Sequence, residues 1–399
     1  MSIPTARLML MLGSGVSLPT GLPSTEKLTQ AVLEEAWHSH TDGQYYPGPE
    51  PNAAFVERNT VLRIQPFLRR LKTAADAYFS GNRLPFSHYE DIYFLAWQLA
   101  EEASRSRLNP AIAPFFKEIE LLCSDLVRPL PLTDEEFTFE RLTSEARGFI
   151  ECVVRQEVWT RDPPTGLNLI VDLARQFATR GLTIATLNHD TLIEQALSDA
   201  SVGFEDGFLP PDGDLSFFDP SVLDAADKIR LLKLHGSYNW RWARVDENGI
   251  YRDCWIKVVR GEPLFRKTTS GIRIEHETPA GILVGTLNKL YDYHFGIVNE
   301  LLIRFHTILS TTDAIIISGY GWGDFAINGW LKNWMLEGQG HRIILLHTNP
   351  EEALRNRAGS GVFPEEYDAW VRDGRLFPIR KWLCDTAIEE LLPLMGSVS

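Results

Sequence analysis

With 399 residues, 44% hydrophobic and 23% charged side chains, the chain has the profile of a soluble globular protein with ample core, long enough for about two to four domains. Thirty-nine Lys and Arg stand against 53 Asp and Glu, and the formal charge of −14 repels phosphate backbones, so nucleic acid is not the expected partner of this chain alone. No window approaches the roughly 18 consecutive apolar residues of a membrane helix, and the apolar run after Arg7 is too short for a secretory signal. Membrane association is therefore not expected. The four cysteines, Cys123, Cys152, Cys254 and Cys384, form no C-x-x-C pair, which argues against a disulfide framework and a cysteine zinc site. No metal is expected, and a reducing cytoplasm fits.

The run Arg7–Leu12 stops abruptly at Gly13-Ser14-Gly15 and reads as a buried strand. Pro19, Gly21 and Pro23 hold a loop, and Ser24 is placed to cap a helix carrying Leu28, Val32 and Leu33 on one face. Residues 36–178 read as a helical insertion, with three-and-four apolar spacing over Thr60–Tyr78, His88–Ser104, Ala113–Leu126 and Thr143–Trp159. Loops are expected at Gly43–Asn52 and Arg128–Glu135. Strand signals return at Leu182–Leu187, Ile229–Leu234, Ile282–Val284, Ala314–Ser318 and Arg342–His347, as continuous apolar runs suited to a parallel sheet covered on both faces. Helical patterns at Asp190–Ser198, Tyr293–Leu309 and Phe325–Leu336 separate several of them. The alternation predicts a Rossmann-like, doubly wound α/β sheet built from residues 1–35 and 179–399. Trp240–Val259, centred on Glu247-Asn248-Gly249, predicts a hairpin. The aromatic residues of the final 50 or so residues suggest a tail docked on the core rather than a further large domain.

Four strand-end motifs could carry chemistry, and each also has a plain structural reading. Gly13, Ser14 and Gly15 could bring backbone N–H groups to a pyrophosphate, or make a tight turn only; Leu18 stands where the dinucleotide fingerprint needs its third glycine. An ordinary nicotinamide-dependent dehydrogenase is disfavoured. In Thr186-Leu-Asn-His-Asp190, Asn188 and Asp190 face the crevice beyond a strand end or cap the next helix. His235, in Lys233-Leu-His-Gly-Ser237, is a candidate general base or a satisfied structural histidine. Ser318, Gly319 and Asp324 lie in a glycine-rich segment suited to close approach of a ribose or adenine, or to a turn with Asp324 as helix cap.

Taken in order, Gly13-Ser-Gly-Val-Ser17 with Gly21-Leu-Pro23, then Thr186-Leu-Asn-His-Asp190, then Lys233-Leu-His-Gly-Ser237 resembles the sirtuin superfamily, over roughly residues 7–35 and 180–350. The paired C-x-x-C zinc motif of the deacylases is missing after His235-Gly236, and Ser318-Gly-Tyr-Gly-Trp-Gly-Asp324 replaces their final nucleotide loop. With Tyr89-Glu-Asp-Ile-Tyr93, that segment resembles the sirtuin-like NADases of bacterial antiphage defence. The resemblance implies a hydrolase that cleaves NAD+ as substrate into nicotinamide and ADP-ribose. Asn188, His235 and Asp190 would then be catalytic. Gly13, Ser14, Gly15, Ser17 and Gly236 would bind the nucleotide, with Ser318, Gly319 and Asp324 on the adenosine side, and Tyr89–Tyr93 would pack over the cleft. It also implies a homo-oligomer paired with a separate HerA-type hexameric ATPase. The competing readings are a zinc-free NAD-dependent protein deacylase and a non-catalytic NAD or ADP-ribose sensor.

Overall fold

The computed structural model describes residues 7–40, 43–52, 58–81, 86–106, 108–129, 136–160, 162–225, 227–258, 267–278, 281–293, 296–354 and 364–395. Most of the loop expected at Arg128–Glu135 and the last residue of the expected hairpin, Val259, lie outside them. The chain divides into two compact units, one of Met1–Leu22, Trp159–Leu283 and Leu290–Ser399, the other of Pro23–Val158 and Val284–Lys289. The helix Thr25–Glu34 thus groups with the helical unit, and the helix Asn168–Phe177 with the sheet.

The first unit is built on six parallel strands in the spatial order Leu376–Ile379, Arg342–Leu346, Ala314–Ser318, Leu8–Leu12, Thr183–Thr186, Arg230–Lys233. Renumbered along the chain this is 6-5-4-1-2-3, the doubly wound order of a Rossmann-type sheet. Its switch point falls between Leu8–Leu12 and Ala314–Ser318, where Leu8 pairs with Ala314 and Leu12 with Ser318. Strand periodicity distributes the apolar run to both faces. Met9, Met11, Ile315 and Ile317 pack with Leu301 and Phe305 of the helix Gly296–Leu309 and with Leu331 and Trp334 of the helix Phe325–Glu337. Leu8, Leu10, Leu12 and Ile316 pack on the opposite side with Ile170 and Leu173 of Asn168–Phe177 and Leu197 of Leu192–Asp199.

Two expectations need correction. Ile282–Val284 is not a strand of this sheet: Ile282 makes one isolated antiparallel bridge to Gly236, and Leu283 N–H donates to His235 O at 2.9 Å. Three apolar residues flanked by Gly281 and Gly285 suffice to brace a loop but not to extend a ladder. Conversely, Leu376–Ile379 is a strand that the sequence reading assigned to a docked tail. Pro378 masks it, because proline removes a ladder donor; the strand is at the sheet edge, with a neighbour on one side only, where that loss is tolerated.

The same unit carries a four-stranded antiparallel sheet, Leu215–Phe217, Ile250–Val258, Trp240–Glu247 and Arg273–Glu277 in spatial order. The expected hairpin forms its centre. Glu247 pairs with Ile250, and Asn248 (φ 57°) and Gly249 (φ 85°) both take left-handed backbone, the signature of a two-residue type I′ turn.

The second unit holds the helices Thr25–Glu34, Val61–Gly81, Tyr89–Ala103, Ala113–Leu122 and Phe139–Glu157. Ser24 Oγ accepts from Lys27 N–H at 3.3 Å, the cap expected for the first of them. A short ribbon pairs Trp37–Ser39 with Tyr45–Pro47, the second of which falls inside the Gly43–Asn52 segment expected to be loop. Among the described residues no helix is long and apolar enough to cross a membrane.

Candidate functional site

The carboxyl ends of the parallel strands bring the four sequence motifs to one edge of the sheet, where open α/β sheets bind ligands. At the switch point two glycine loops pack backbone on backbone. Gly13 N–H donates to Ser318 O and Gly15 N–H to Gly319 O, both at 3.0 Å. A Cβ on Gly13 would meet Gly319 O at 2.5 Å, and one on Gly319 (φ 63°) would meet Val16 N at 2.5 Å. The glycines are therefore needed for loop-on-loop packing, and two of the backbone donors considered for a pyrophosphate are already engaged. Ser318 is buried, and its Oγ has no hydrogen-bond partner among the described residues.

Beyond Thr183–Thr186, Asn188 and Asp190 are joined through Ser17. Asn188 Nδ2 donates to Ser17 Oγ at 3.0 Å, and Ser17 Oγ donates to Asp190 Oδ2 at 2.8 Å. Asp190 Oδ1 meanwhile accepts from Leu192 N–H at 3.0 Å, so the residue caps the next helix with one carboxylate oxygen and holds Ser17 with the other. This chain fixes the Asn188 amide with its nitrogen inward. Its Oδ1 is buried and has no hydrogen-bond partner among the described residues. An unsatisfied buried acceptor costs about 1–3 kcal/mol, a cost that a ligand hydroxyl or a water would relieve. His189 is also buried; its carbonyl accepts from Ser237 Oγ at 3.2 Å and Tyr238 N–H at 3.0 Å.

Beneath this loop, Lys233 is 1% exposed, and its Nζ donates to the carbonyl of Asp190 and, at 2.8 Å, to Glu194 Oε1. Burial pushes the Glu194 carboxyl above its ordinary value, while the Lys233 charge pulls it back. Replacing Lys233 by alanine removes the neighbouring positive charge and raises Glu194 further. A folded value above the unfolded one supplies stability that is present below the unfolded carboxylate range and lost as pH rises through the folded value. The variant is thus expected to lose about 3–5 kcal/mol at neutral pH, with the deficit shrinking on acidification; urea titrations at pH 7 and pH 5 check both, and an equal deficit at the two would refute the pairing argument.

Beyond Arg230–Lys233, His235 is 4% exposed, with Nε2 at 2.9 Å from both Tyr293 Oη and Asp324 Oδ2. Tyr293 O–H donates to the same Asp324 oxygen. Asp324 Oδ1 accepts from Ala326 N–H (3.0 Å) and Ile327 N–H (3.1 Å) and so caps Phe325–Glu337. The His189 ring lies 6.4 Å from that of His235, centroid to centroid. The loop carrying Asp324 is tied by Tyr320 O–H to Asn328 Oδ1 at 2.7 Å and by Asn328 Nδ2 to Trp322 O at 3.0 Å. Gly236 (φ 79°) turns the chain directly after His235, and Ser237 N–H donates to Gly281 O at 3.0 Å.

Asp324 was expected on the adenosine side or as a cap; it caps, and its second oxygen goes to His235. Tyr293 carried no motif at all and was missed, lying at the start of an ordinary helical pattern. Tyr89, Asp91 and Tyr93 are buried within the helical unit. Tyr89 N–H donates to Thr29 Oγ1 at 3.0 Å, Asp91 Oδ2 accepts from His88 N–H at 3.0 Å, and Tyr93 O–H donates to Glu151 Oε1 at 2.5 Å. Among the described residues no group of three His, Cys, Asp or Glu could hold a metal ion.

Residues 182–364 match the family model of the SIR2-like domain. The SIR2-like segment takes in Asn188, Asp190, His235 and the Ser318–Asp324 loop; the Gly13–Ser17 turn precedes it. Among solved structures, the chain is similar to a Sir2 homologue mutant in complex with ADP-ribose, at 11% identity and a TM-score of 0.37, covering 98% of this chain and 91% of that one. It is similar also to a Sir2 homologue–NAD complex, at 13% identity and a TM-score of 0.34, covering 92% and 89%. A comparison with curated proteins gives no match.

Proposed function

We propose that the chain is an NAD+ hydrolase that releases nicotinamide and ADP-ribose. The observation that carries this reading is Asn188 Oδ1: a buried acceptor without a partner among the described residues, on an amide oriented by Ser17 and Asp190, at the strand-end edge that also holds His235. The SIR2-like match over residues 182–364 supports it.

Nicotinamide leaves from a centre that becomes oxocarbenium-like. The C1′–N bond breaks, its electron pair neutralises the pyridinium nitrogen, and a water oxygen bonds to C1′ while its proton passes to a base and then to solvent. Asn188 Oδ1 is suited to accept from the ribose or the attacking water and to place partial negative charge near the developing cation. His235 is suited to take the proton. Asp190 acts through Ser17 on the Asn188 amide. Ser14 N–H, Ser318 Oγ and Gly236 are the groups we assign to the rest of the nucleotide, with Gly13, Gly15 and Gly319 shaping the loops that let it approach.

On the resemblance of Ser318–Asp324 and Tyr89–Tyr93 to the defence NADases, we place this activity in the bacterial cytoplasm. There it depletes NAD+ during infection as a homo-oligomer controlled by a HerA-type ATPase. The first test is product analysis by chromatography after incubating the purified chain with NAD+. Equal amounts of nicotinamide and ADP-ribose are expected. NAD consumption that requires an acyl-lysine peptide and yields the deacylated peptide would overturn the reading for a deacylase; saturable binding with no product would overturn it for a sensor.

A further inference from the structure

Lys233, 1% exposed, directs its ammonium at the loop that presents Asn188 and Asp190. Its Nζ donates to the Asp190 carbonyl across 43 residues of sequence and, at 2.8 Å, to Glu194 Oε1. A hydrogen bond from a cation is roughly twice as strong as one between neutral groups. That bond is the first of a series. The Asp190 side chain passes the position on: Oδ1 accepts from Leu192 N–H at 3.0 Å, and Oδ2 accepts from Ser17 Oγ at 2.8 Å. Ser17 Oγ in turn accepts from Asn188 Nδ2 at 3.0 Å.

Stability alone gives a poor account of this ammonium. A buried ion pair can often be replaced by apolar side chains of similar volume without loss, because desolvation offsets the attraction. The carboxylate is also only half engaged: Glu194 Oε1 meets Lys233, while the buried Oε2 has no hydrogen-bond partner among the described residues. What apolar side chains could not supply is the donor to the Asp190 carbonyl.

We propose that Lys233 is a positioning residue, which fixes the loop backbone at Asp190 and through it the Asn188 amide, with Glu194 offsetting its charge. The strand Arg230–Lys233 thereby sets two groups at once: it ends two residues before His235, and its last side chain holds the loop of Asn188. The role rests on the hydrolase reading only where it concerns rate.

Paired substitutions separate positioning from charge balance. Lys233→Met leaves Glu194 buried without its cation and is destabilised. Adding Glu194→Met removes both charges with unbranched side chains that fill the space, so the melting temperature is expected to return towards the wild-type value. The Asp190 carbonyl still lacks its donor. Amide hydrogen exchange over residues 188–192, followed by mass spectrometry, is therefore expected to stay about tenfold faster than in the wild type. That segment includes Asn188 N–H and Leu192 N–H, which donate to Thr186 Oγ1 and Asp190 Oδ1. In the hydrolase assay kcat should stay about 10²-fold low, the cost of a misplaced group, with KM little changed. Glu194→Gln should show the converse: it keeps the Lys233 ammonium, so the melting temperature falls while the loop amides still exchange slowly.

Slow exchange and wild-type kcat returning together with the melting temperature in the double variant would overturn the role. Exchange in Glu194→Gln as fast as in Lys233→Met would overturn it too, and that comparison stands even if the double variant does not fold. A wild type that releases no nicotinamide would instead sink the hydrolase reading, and the exchange rates would still decide the role of Lys233.

Discussion

His235→Ala is expected to reduce NAD+ hydrolysis by about 10²–10⁴-fold in a protein that still folds. The size follows from the role: without a base, the water attacking C1′ must shed its proton directly to solvent, and that is the range general-base loss costs. Survival of the fold follows from what remains. Tyr293 O–H still donates to Asp324, and Asp324 Oδ1 still caps Phe325–Glu337. The strand Arg230–Lys233 ends before the substitution, and the backbone bond from Leu283 N–H to His235 O does not involve the ring. Asn188→Ala should fall in the same range, because it removes both the oriented carbonyl and the link to Ser17. Its Thr186 Oγ1 contact is made by the backbone N–H at 3.1 Å and is kept. Initial rates of nicotinamide release, alongside far-UV circular dichroism and thermal melts, check both. A folded His235→Ala protein with wild-type rates would end the assignment of this histidine.

The sheet was legible because a strand buried on both faces needs an unbroken apolar run, and Leu8–Leu12, Ala314–Ser318 and Arg342–Leu346 have little other way to be satisfied. The edge strand Leu376–Ile379 was not, because one free side permits Pro378 and erases the signal. Within the site, Asn188, Asp190 and His235 were legible because polar residues directly after buried strands land at the crevice whatever the rest of the chain does. Their partners were not. Ser17 reaches Asn188 and Asp190 across more than 170 residues of sequence, with separations of 171 and 173. Tyr293 and Asp324 reach His235 across 58 and 89. Such pairings are set by the order of strands in the sheet, which a single sequence does not display. Lys233 shows the same limit from another side: inside Arg230–Lys233 it reads as a strand residue, yet its ammonium is buried against the Asp190 carbonyl and Glu194.

Gly236→Ala should be the most damaging small substitution at the site, and its cause is separable from chemistry. Gly236 has φ 79°, so any side chain there costs about 1–2 kcal/mol in the left-handed region. The added Cβ would lie 1.9 Å from Gly281 O, and this neighbour is backbone rather than the end of a flexible side chain. Gly281 cannot simply retreat. Its carbonyl accepts from Ser237 N–H at 3.0 Å, its own N–H donates to Trp240 O at 2.9 Å, and a Cβ of its own would already meet Trp255 at 2.5 Å. Overpacking of this kind adds about 1–3 kcal/mol, for a total of roughly 2–5 kcal/mol and a fall in Tm of several degrees or more. Because the strain relaxes by pushing the Gly236–Gly281 contact apart, His235 and its bond to Leu283 N–H move with it, and hydrolysis is expected to fall as well. Calorimetry and initial rates on the same preparation check the pair of effects. Gly249→Ala supplies the comparison: it has similar backbone (φ 85°) and nothing within 4 Å of its added Cβ, so it should show the left-handed cost alone and keep its activity. Equal destabilisation by the two substitutions would mean that the Gly236–Gly281 contact contributes nothing beyond backbone strain.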